Sequence, residues 1–162
     1  MATIRPLTGD DLPEALAINE ANVPAVGSVD ADQLAHLFDE ASVALAAEDG
    51  GRLIGFCIVL ARGADYGSVN YGWFSERYDD FAYLDRVAVA ESYRNRGIGA
   101  ELYAEVERLV DVPWFTLEVN VRPRNEGSLR FHERMGFTEV GQQETPYGAR
   151  VSLLAKPLPY GV

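Results

Sequence analysis

The sequence predicts a mixed α/β fold, a central mixed β-sheet flanked by helices, in a single domain spanning residues 1–162. Two observations carry the prediction. Runs of β-prone residues such as "RLIGFCIVLA" alternate with segments whose apolar residues recur at helical spacing. The chain is also long enough to bury a substantial core, and no repeat, low-complexity stretch or linker divides it.

"ATIRPL" (Ala2 to Leu7) alternates as a first strand. A helix follows in "TGDDLPEALAINEAN", with Asp10 or Asp11 as N-cap and Leu12, Ala15, Leu16 and Asn19 at helical spacing. "DADQLAHLFDEA" predicts a second helix, capped near Asp30, with Leu34, Leu37 and Phe38 on one face. "SVALAAED" and "RLIGFCIVLA" form a hairpin around Gly50 and Gly51. Gly63 to Ser75, "GADYGSVNYGWFS", reads as a turn-rich loop loaded with aromatics. "FAYLDRVAVA" (Phe81 to Ala90) is the central strand. A helix from near Gly97 carries Ile98, Leu102, Val106 and Leu109 on one stripe. "WFTLEVNV" supplies another strand, and "RNEGSLRFHERMGF" a short helix ended by Gly136 in the left-handed conformation. "TEVGQQE" and "ARVSLLAKPL" close the sheet as a pair. The expected order is β-α-α-β-β-β-α-β-α-β-β.

Composition removes several classes of function. A net charge of -11 opposes nucleic-acid binding, which needs basic patches to meet phosphates. No apolar run approaches the ~20 residues that span a bilayer, so no membrane partner is expected. The opening "MATIRPLTGDD" lacks a basic segment followed by an apolar one, and a cytoplasmic location is the expectation. The single cysteine, Cys57, allows no intrachain disulfide and belongs to no metal-ligand cluster. Within "LIGFCIVL" it reads as a buried small hydrophobe and not as a nucleophile.

Against that acidic background, "ESYRNRGIGAELY" places Arg94 and Arg96 beside Gly97 and Gly99 where a helix begins. The first N–H groups of a helix have no intrahelical acceptor, and with the helix dipole they attract anions. Glycines let a ligand approach the backbone, and the forked donors of arginine suit phosphate oxygens. A pyrophosphate fits such a turn; the alternative is a solvated turn whose glycines serve only a tight helix entry. A P-loop is excluded, because Ala100 and Glu101 follow Gly99 where Lys and Ser or Thr are needed. The dinucleotide fingerprint is excluded as well: it needs three glycines early in a βαβ unit, and this turn falls late in the chain.

"VAVAESYRNRGIGAELY" resembles the acyl-CoA-binding segment of the GNAT superfamily of N-acetyltransferases, whose pattern is Arg or Gln, two residues, Gly, one residue, then Gly or Ala. Arg94, Gly97 and Gly99 fill it. "NEGSLRFHERMGF" resembles the family's later segment through Asn125, Ser128, Phe131, Gly136 and Phe137, and the order of elements fits over nearly the whole chain. The resemblance implies a GNAT-type fold and acetyl-CoA as cosubstrate, with no metal. It also implies an acceptor that is a small-molecule or peptide amine. The pyrophosphate would rest on the turn of Arg94, Asn95, Arg96, Gly97, Ile98, Gly99 and Ala100. The strand before the turn would splay from its neighbour, so that Val87, Ala88 and Val89 pair with the pantetheine arm. The amide of Val87 would polarise the thioester carbonyl. Asn125 and Ser128 would contact the arm and Phe131 would pack along it; for Phe131 the alternative is core packing with Met135.

Acetylation of an amine whose pKa is near ~10.4 needs a base, and the departing thiolate can receive a proton. Asp85 is the first candidate base, because residues 83, 85, 87 and 89 of a strand share one face. A salt bridge with Arg86 is the alternative role for Asp85, and Glu118 on the next strand is the alternative base. The family's acid position, a tyrosine after the place of Phe131, holds His132, which reads either as the acid or as a hydrogen-bonding surface histidine. Tyr103 and Tyr147 remain further candidates. Acceptor choice falls to "NEANVPAVGSVDAD" and to the loop with Tyr66, Tyr71, Trp73, Phe74 and Tyr78. These aromatics line either a pocket or a homodimer contact. The competing functions are an acyl-CoA sensor without turnover and a structural interaction domain.

Overall fold

The computed structural model describes residues 2–159, so Met1 and residues 160–162 of the expected domain span lie outside the described residues. The strands are β1 (Thr3–Pro6), β2 (Val43–Asp49), β3 (Arg52–Ala61), β4 (Ala82–Val89), β5 (Trp114–Arg122), β6 (Thr138–Glu144) and β7 (Arg150–Pro157). The helices are α1 (Leu12–Ala21), α2 (Ala31–Glu40), α3 (Val69–Arg77), α4 (Ile98–Leu109) and α5 (Glu126–Arg134). The strands form one sheet in the order β1-β2-β3-β4-β5-β7-β6. β4 and β5 run parallel, whereas β1–β2, β2–β3, β5–β7 and β6–β7 are antiparallel. The sheet is therefore mixed, as expected. The chain divides into two compact units, one holding the residues up to Leu60 with Leu84–Val110, the other Ala61–Tyr83 with the residues from Asp111 onward.

In the first unit, β2 and β3 pair from Asp49↔Arg52 to Val43↔Val59 around the two-glycine turn. Every residue of β3 from Leu53 to Leu60 is buried, which explains its unbroken apolar run. Burial pushes the Cys57 thiol up to about 12, so it stays a neutral packing group. α4 packs on β1 and β2. Tyr103, and not Leu109, completes its buried stripe with Ile98, Leu102 and Val106; Leu109 is the last helical residue and is exposed. α2 is capped as expected, Asp30 accepting from the Gln33 amide and Gln33 from the Asp30 amide, each at 2.8 Å. The entry to α1 differs. Asp11 stands at the N-cap but turns its carboxylate back to the Thr8 amide (2.8 Å) and to both outer nitrogens of Arg5 (2.8 and 2.9 Å). The bidentate guanidinium is the stronger partner for a carboxylate.

In the second unit, the expected loop from Gly63 to Ser75 turns helical at Val69, and α3 runs on to Arg77. Ser68 caps this helix by accepting from the amides of Asn70 (3.2 Å) and Tyr71 (3.4 Å). Tyr71 and Phe74, three residues apart, bury one face against Phe81 and Tyr83. Helix formation here rests on that burial, which outweighs the cost of Gly72 within it. Two of the five aromatics expected in a pocket or dimer contact are thus core residues, while Tyr66, Trp73 and Tyr78 are half-buried. α5 ends as expected at Gly136, whose φ is +97°. The Gly136 amide donates to the Glu133 carbonyl and the Phe137 amide to the His132 carbonyl, the two bonds of a left-handed helix stop.

Candidate active site

β4 alternates along its second half: Arg86 and Ala88 are buried, while Val87 and Val89 are partly exposed, as is the backbone of Asp85, whose side chain is buried. The expected shared face therefore exists. Gly55 on β3 lets the β4 backbone come close, since a Cβ there would lie 3.2 Å from the Ala88 carbonyl oxygen. At the end of β4, the Val89 carbonyl accepts from the Asn22 side chain (3.2 Å) and the Ala90 amide donates to Ile54 (2.7 Å).

A single turn of 3₁₀ helix, Glu91–Tyr93, leads into the glycine-arginine turn. The Tyr93 hydroxyl donates to Asp49 at 2.7 Å, and the Arg96 guanidinium stacks 5.1 Å from the Tyr93 ring centroid. Asn95 (φ 63°) and Gly97 (φ 79°) both adopt left-handed backbone. Glycine serves position 97 because of this φ and not for lack of room, since a Cβ there would meet nothing within 4 Å. The first helical bond of α4 runs from the Glu101 amide to the Gly97 carbonyl at 3.0 Å. The amides of Ile98, Gly99 and Ala100 precede it and are the helix's orphan donors. Ile98 is buried and anchors the helix start, while Arg94, Asn95, Arg96 and Gly97 are exposed. The first unit thus assembles Val87 to Ala100 as a continuous strand edge and anion-ready helix entry.

Asp85 sits beside that edge with its carboxylate already engaged. Arg86 Nε donates to it at 2.7 Å, and the two side chains are only 3% and 7% exposed. The same guanidinium donates to Asn19 Oδ1 (2.9 Å) and to the Gly27 carbonyl (3.0 Å). This is a buried ion pair whose guanidinium ties β4 to α1 and the turn after it.

The second unit holds the remaining candidates except Tyr103, which belongs to α4 in the first. Glu118 on β5 is half-exposed and accepts a hydrogen bond from the Tyr83 hydroxyl. Asn125 is the N-cap of α5, its side-chain oxygen accepting from the Ser128 amide at 3.3 Å. His132 is buried and not on the surface. Its Nδ1 lies 2.7 Å from the Ser128 carbonyl and 3.3 Å from Ser128 Oγ. The carbonyl is only an acceptor, so Nδ1 carries the ring proton. The ring packs edge-on against Phe131 (5.1 Å) and Phe137 (5.3 Å). Phe131 itself is half-buried. Tyr103 is fully buried; Tyr147 is exposed, with its hydroxyl accepting from Asn70 at 3.1 Å. Asn22, Tyr83 and Tyr93 were not singled out from the sequence; their roles depend on contacts 35 to 72 residues away along the chain, which no local signal reports.

Burial holds the His132 imidazole below its ordinary value of 6.5, against the opposing effect of the bond to Ser128. The unfolded chain therefore takes up this proton at higher pH than the folded one. The stability that His132 contributes is full above about pH 6.5 and is lost as pH falls through the lower folded value. The melting temperature should drop on acidification from about pH 7 to about pH 5, and His132→Gln should flatten that slope. Equal slopes in the two proteins would contradict the assignment.

A sequence model of the acetyltransferase (GNAT) family matches residues 12–137, from the first residue of α1 to the phenylalanine after Gly136. The chain belongs to the GNAT acetyltransferase family. The fold and the enzyme class, an acyltransferase, agree with the expectation. Among solved structures, the ribosomal-protein-S18-alanine N-acetyltransferase of Escherichia coli is similar with a TM-score of 0.78 at 20% identity, over 100% of this chain and 97% of that one. Ard1 from Thermoplasma volcanium is similar with a TM-score of 0.79 at 16% identity, over 98% of each chain. NAA60 of Arabidopsis thaliana, solved in complex with acetyl-CoA, gives 0.74 at 21% identity over 97% of this chain and 98% of that one. No curated protein matches the GNAT chain by sequence comparison.

Proposed function

We propose that this GNAT chain, acting as one catalytic domain over residues 1–162, moves an acetyl group from acetyl-CoA to a primary amine of a small molecule or peptide by direct attack. The observation that carries the reading is the entry to α4: left-handed Gly97, open space over its Cα, and the orphan amides of Ile98 to Ala100 beside two exposed arginines. These residues suit a pyrophosphate, with the helix dipole adding to the arginine charge. The backbone amide of Val87 is assigned to the thioester oxygen.

The amine nitrogen attacks the thioester carbonyl carbon, a C–N bond forms, and the C–S bond breaks. The proton lost from nitrogen goes to a base, directly or through water. Of the two carboxylates that the strands offer for this role, that of Asp85 is committed to Arg86, which leaves Glu118 on β5 as the candidate. Two carboxylates in different environments divide structural and chemical work in this way. The thiolate of an ordinary thiol, pKa near ~8.5, takes its proton from solvent. His132 is assigned no acid role, because it is neutral and directs its ring proton at Ser128.

The arginines provide the test of the cofactor site. Arg94→Ala and Arg96→Ala should each weaken CoA binding by roughly 10- to 100-fold, the loss of one charge-assisted contact. Binding of a pantetheine fragment without phosphates should stay nearly unchanged in calorimetry. Equal losses for both ligands would mean that the arginines act on folding and not on phosphate.

A further inference from the structure

Asn22, the residue that closes α1, uses its side-chain amide as a three-way clamp. Its nitrogen donates to the Ile18 carbonyl at 2.8 Å and to the Val89 carbonyl at 3.2 Å. Its oxygen accepts from Arg94 Nη2 at 2.9 Å. The amide orientation follows from chemistry: carbonyl oxygens need donors and a guanidinium needs an acceptor, so a flipped amide would lose all three bonds. The clamp fixes two parts of the proposed CoA site at once. One is the backbone at the end of β4; the other is an exposed arginine at the mouth of α4. Arginine has many rotamers, and a ligand would otherwise have to remove much of that freedom on binding.

Building on the acetyl-CoA reading, we infer that Asn22 is a positioning residue of the phosphate site: it holds the Arg94 guanidinium ready for the CoA phosphates and acts on affinity through Arg94. Val89 and Ile18 set where the amide stands, and the amide sets where Arg94 points. No contact between Asn22 and the cosubstrate is required. An effect routed through Arg94 must vanish once Arg94 is gone.

A double-mutant cycle on the full chain tests this, with CoA as the probe in calorimetry. Asn22→Ala should weaken CoA roughly 5- to 10-fold, as expected for loss of one hydrogen bond that orients a charged group. Arg94→Ala should weaken it more, and adding Asn22→Ala to Arg94→Ala should cost clearly less than Asn22→Ala costs alone, the remainder reflecting the lost bond to Val89. In turnover, Asn22→Ala should raise KM for acetyl-CoA while leaving kcat near that of the unaltered enzyme. Additive losses across the cycle, or unchanged affinity in a folded Asn22→Ala protein, would overturn the inference. Asn22→Asp is a second probe: its carboxylate pairs with Arg94 and cancels the charge offered to phosphate, while it gives up the donor bonds to Ile18 and Val89, so it should weaken CoA more than tenfold; unchanged affinity in that variant would also overturn the role. Failure of the unaltered protein to bind CoA would overturn the cofactor reading itself, whereas binding with full additivity would overturn Asn22 alone.

Discussion

Glu118→Gln is expected to lower kcat by about two to four orders of magnitude, the contribution of a positioned base to proton transfer. Affinity for CoA and melting temperature should change little. Glutamine keeps the shape of the side chain and can still accept the bond from Tyr83. The acidic limb of the pH–rate profile should disappear with it, because that limb reports the base. Steady-state kinetics across pH, on an acceptor amine found by screening, checks both expectations. A Glu118→Gln enzyme with unaltered kcat would remove Glu118 from the chemistry.

The largest stability effect is expected at the Asp85–Arg86 pair. Asp85→Asn or Arg86→Met leaves one charge buried without its ionic partner, at sites 3% and 7% exposed. Breaking such a pair costs about 3–5 kcal/mol. In a chain of this size that lowers the melting temperature by roughly 6–20 °C. The Arg86 change should be the more severe, because it also strands Asn19 and the Gly27 carbonyl. Turnover per folded molecule should persist in Asp85→Asn. Scanning calorimetry and kinetics on the same protein decide the matter: a normal melting temperature with collapsed kcat would make Asp85 the base.

Why Asp85 looked catalytic from the sequence shows where local reasoning ends. A carboxylate in an apolar strand does need an explanation, and its face was read correctly from the alternation of β4. What the strand pattern does not reveal is that Arg86, one residue on, reaches both Asp85 and the turn after α1. The parts with strictly local causes were legible: the cap at Asp30, the two-glycine turn, and Gly136 as helix stop. A glycine-dependent helix entry at Gly97 was legible too, but not its left-handed backbone. α3 was hidden because Gly67 and Gly72 resemble loop punctuation, although Ser68 followed by Tyr71 and Phe74 is a cap with a helical face. His132 precedes the helix stop at Gly136 by one turn, and its burial comes from Phe137 folding back over it, a consequence of that stop. Asn22 had no local signal at all, since its meaning comes from Val89 and Arg94.

The account rests on transfer of an acetyl group from CoA to an amine, and thiol release measures that transfer directly. The purified chain would be mixed with acetyl-CoA and a panel of small amines, polyamines and peptide N-termini, with free thiol followed over time. At least one amine should release thiol well above hydrolysis, in step with an acetylated product detected by mass, and Arg94→Ala should raise the acetyl-CoA concentration required. An absence of amine-dependent thiol release across the panel, together with no rise in melting temperature on adding acetyl-CoA, would contradict it.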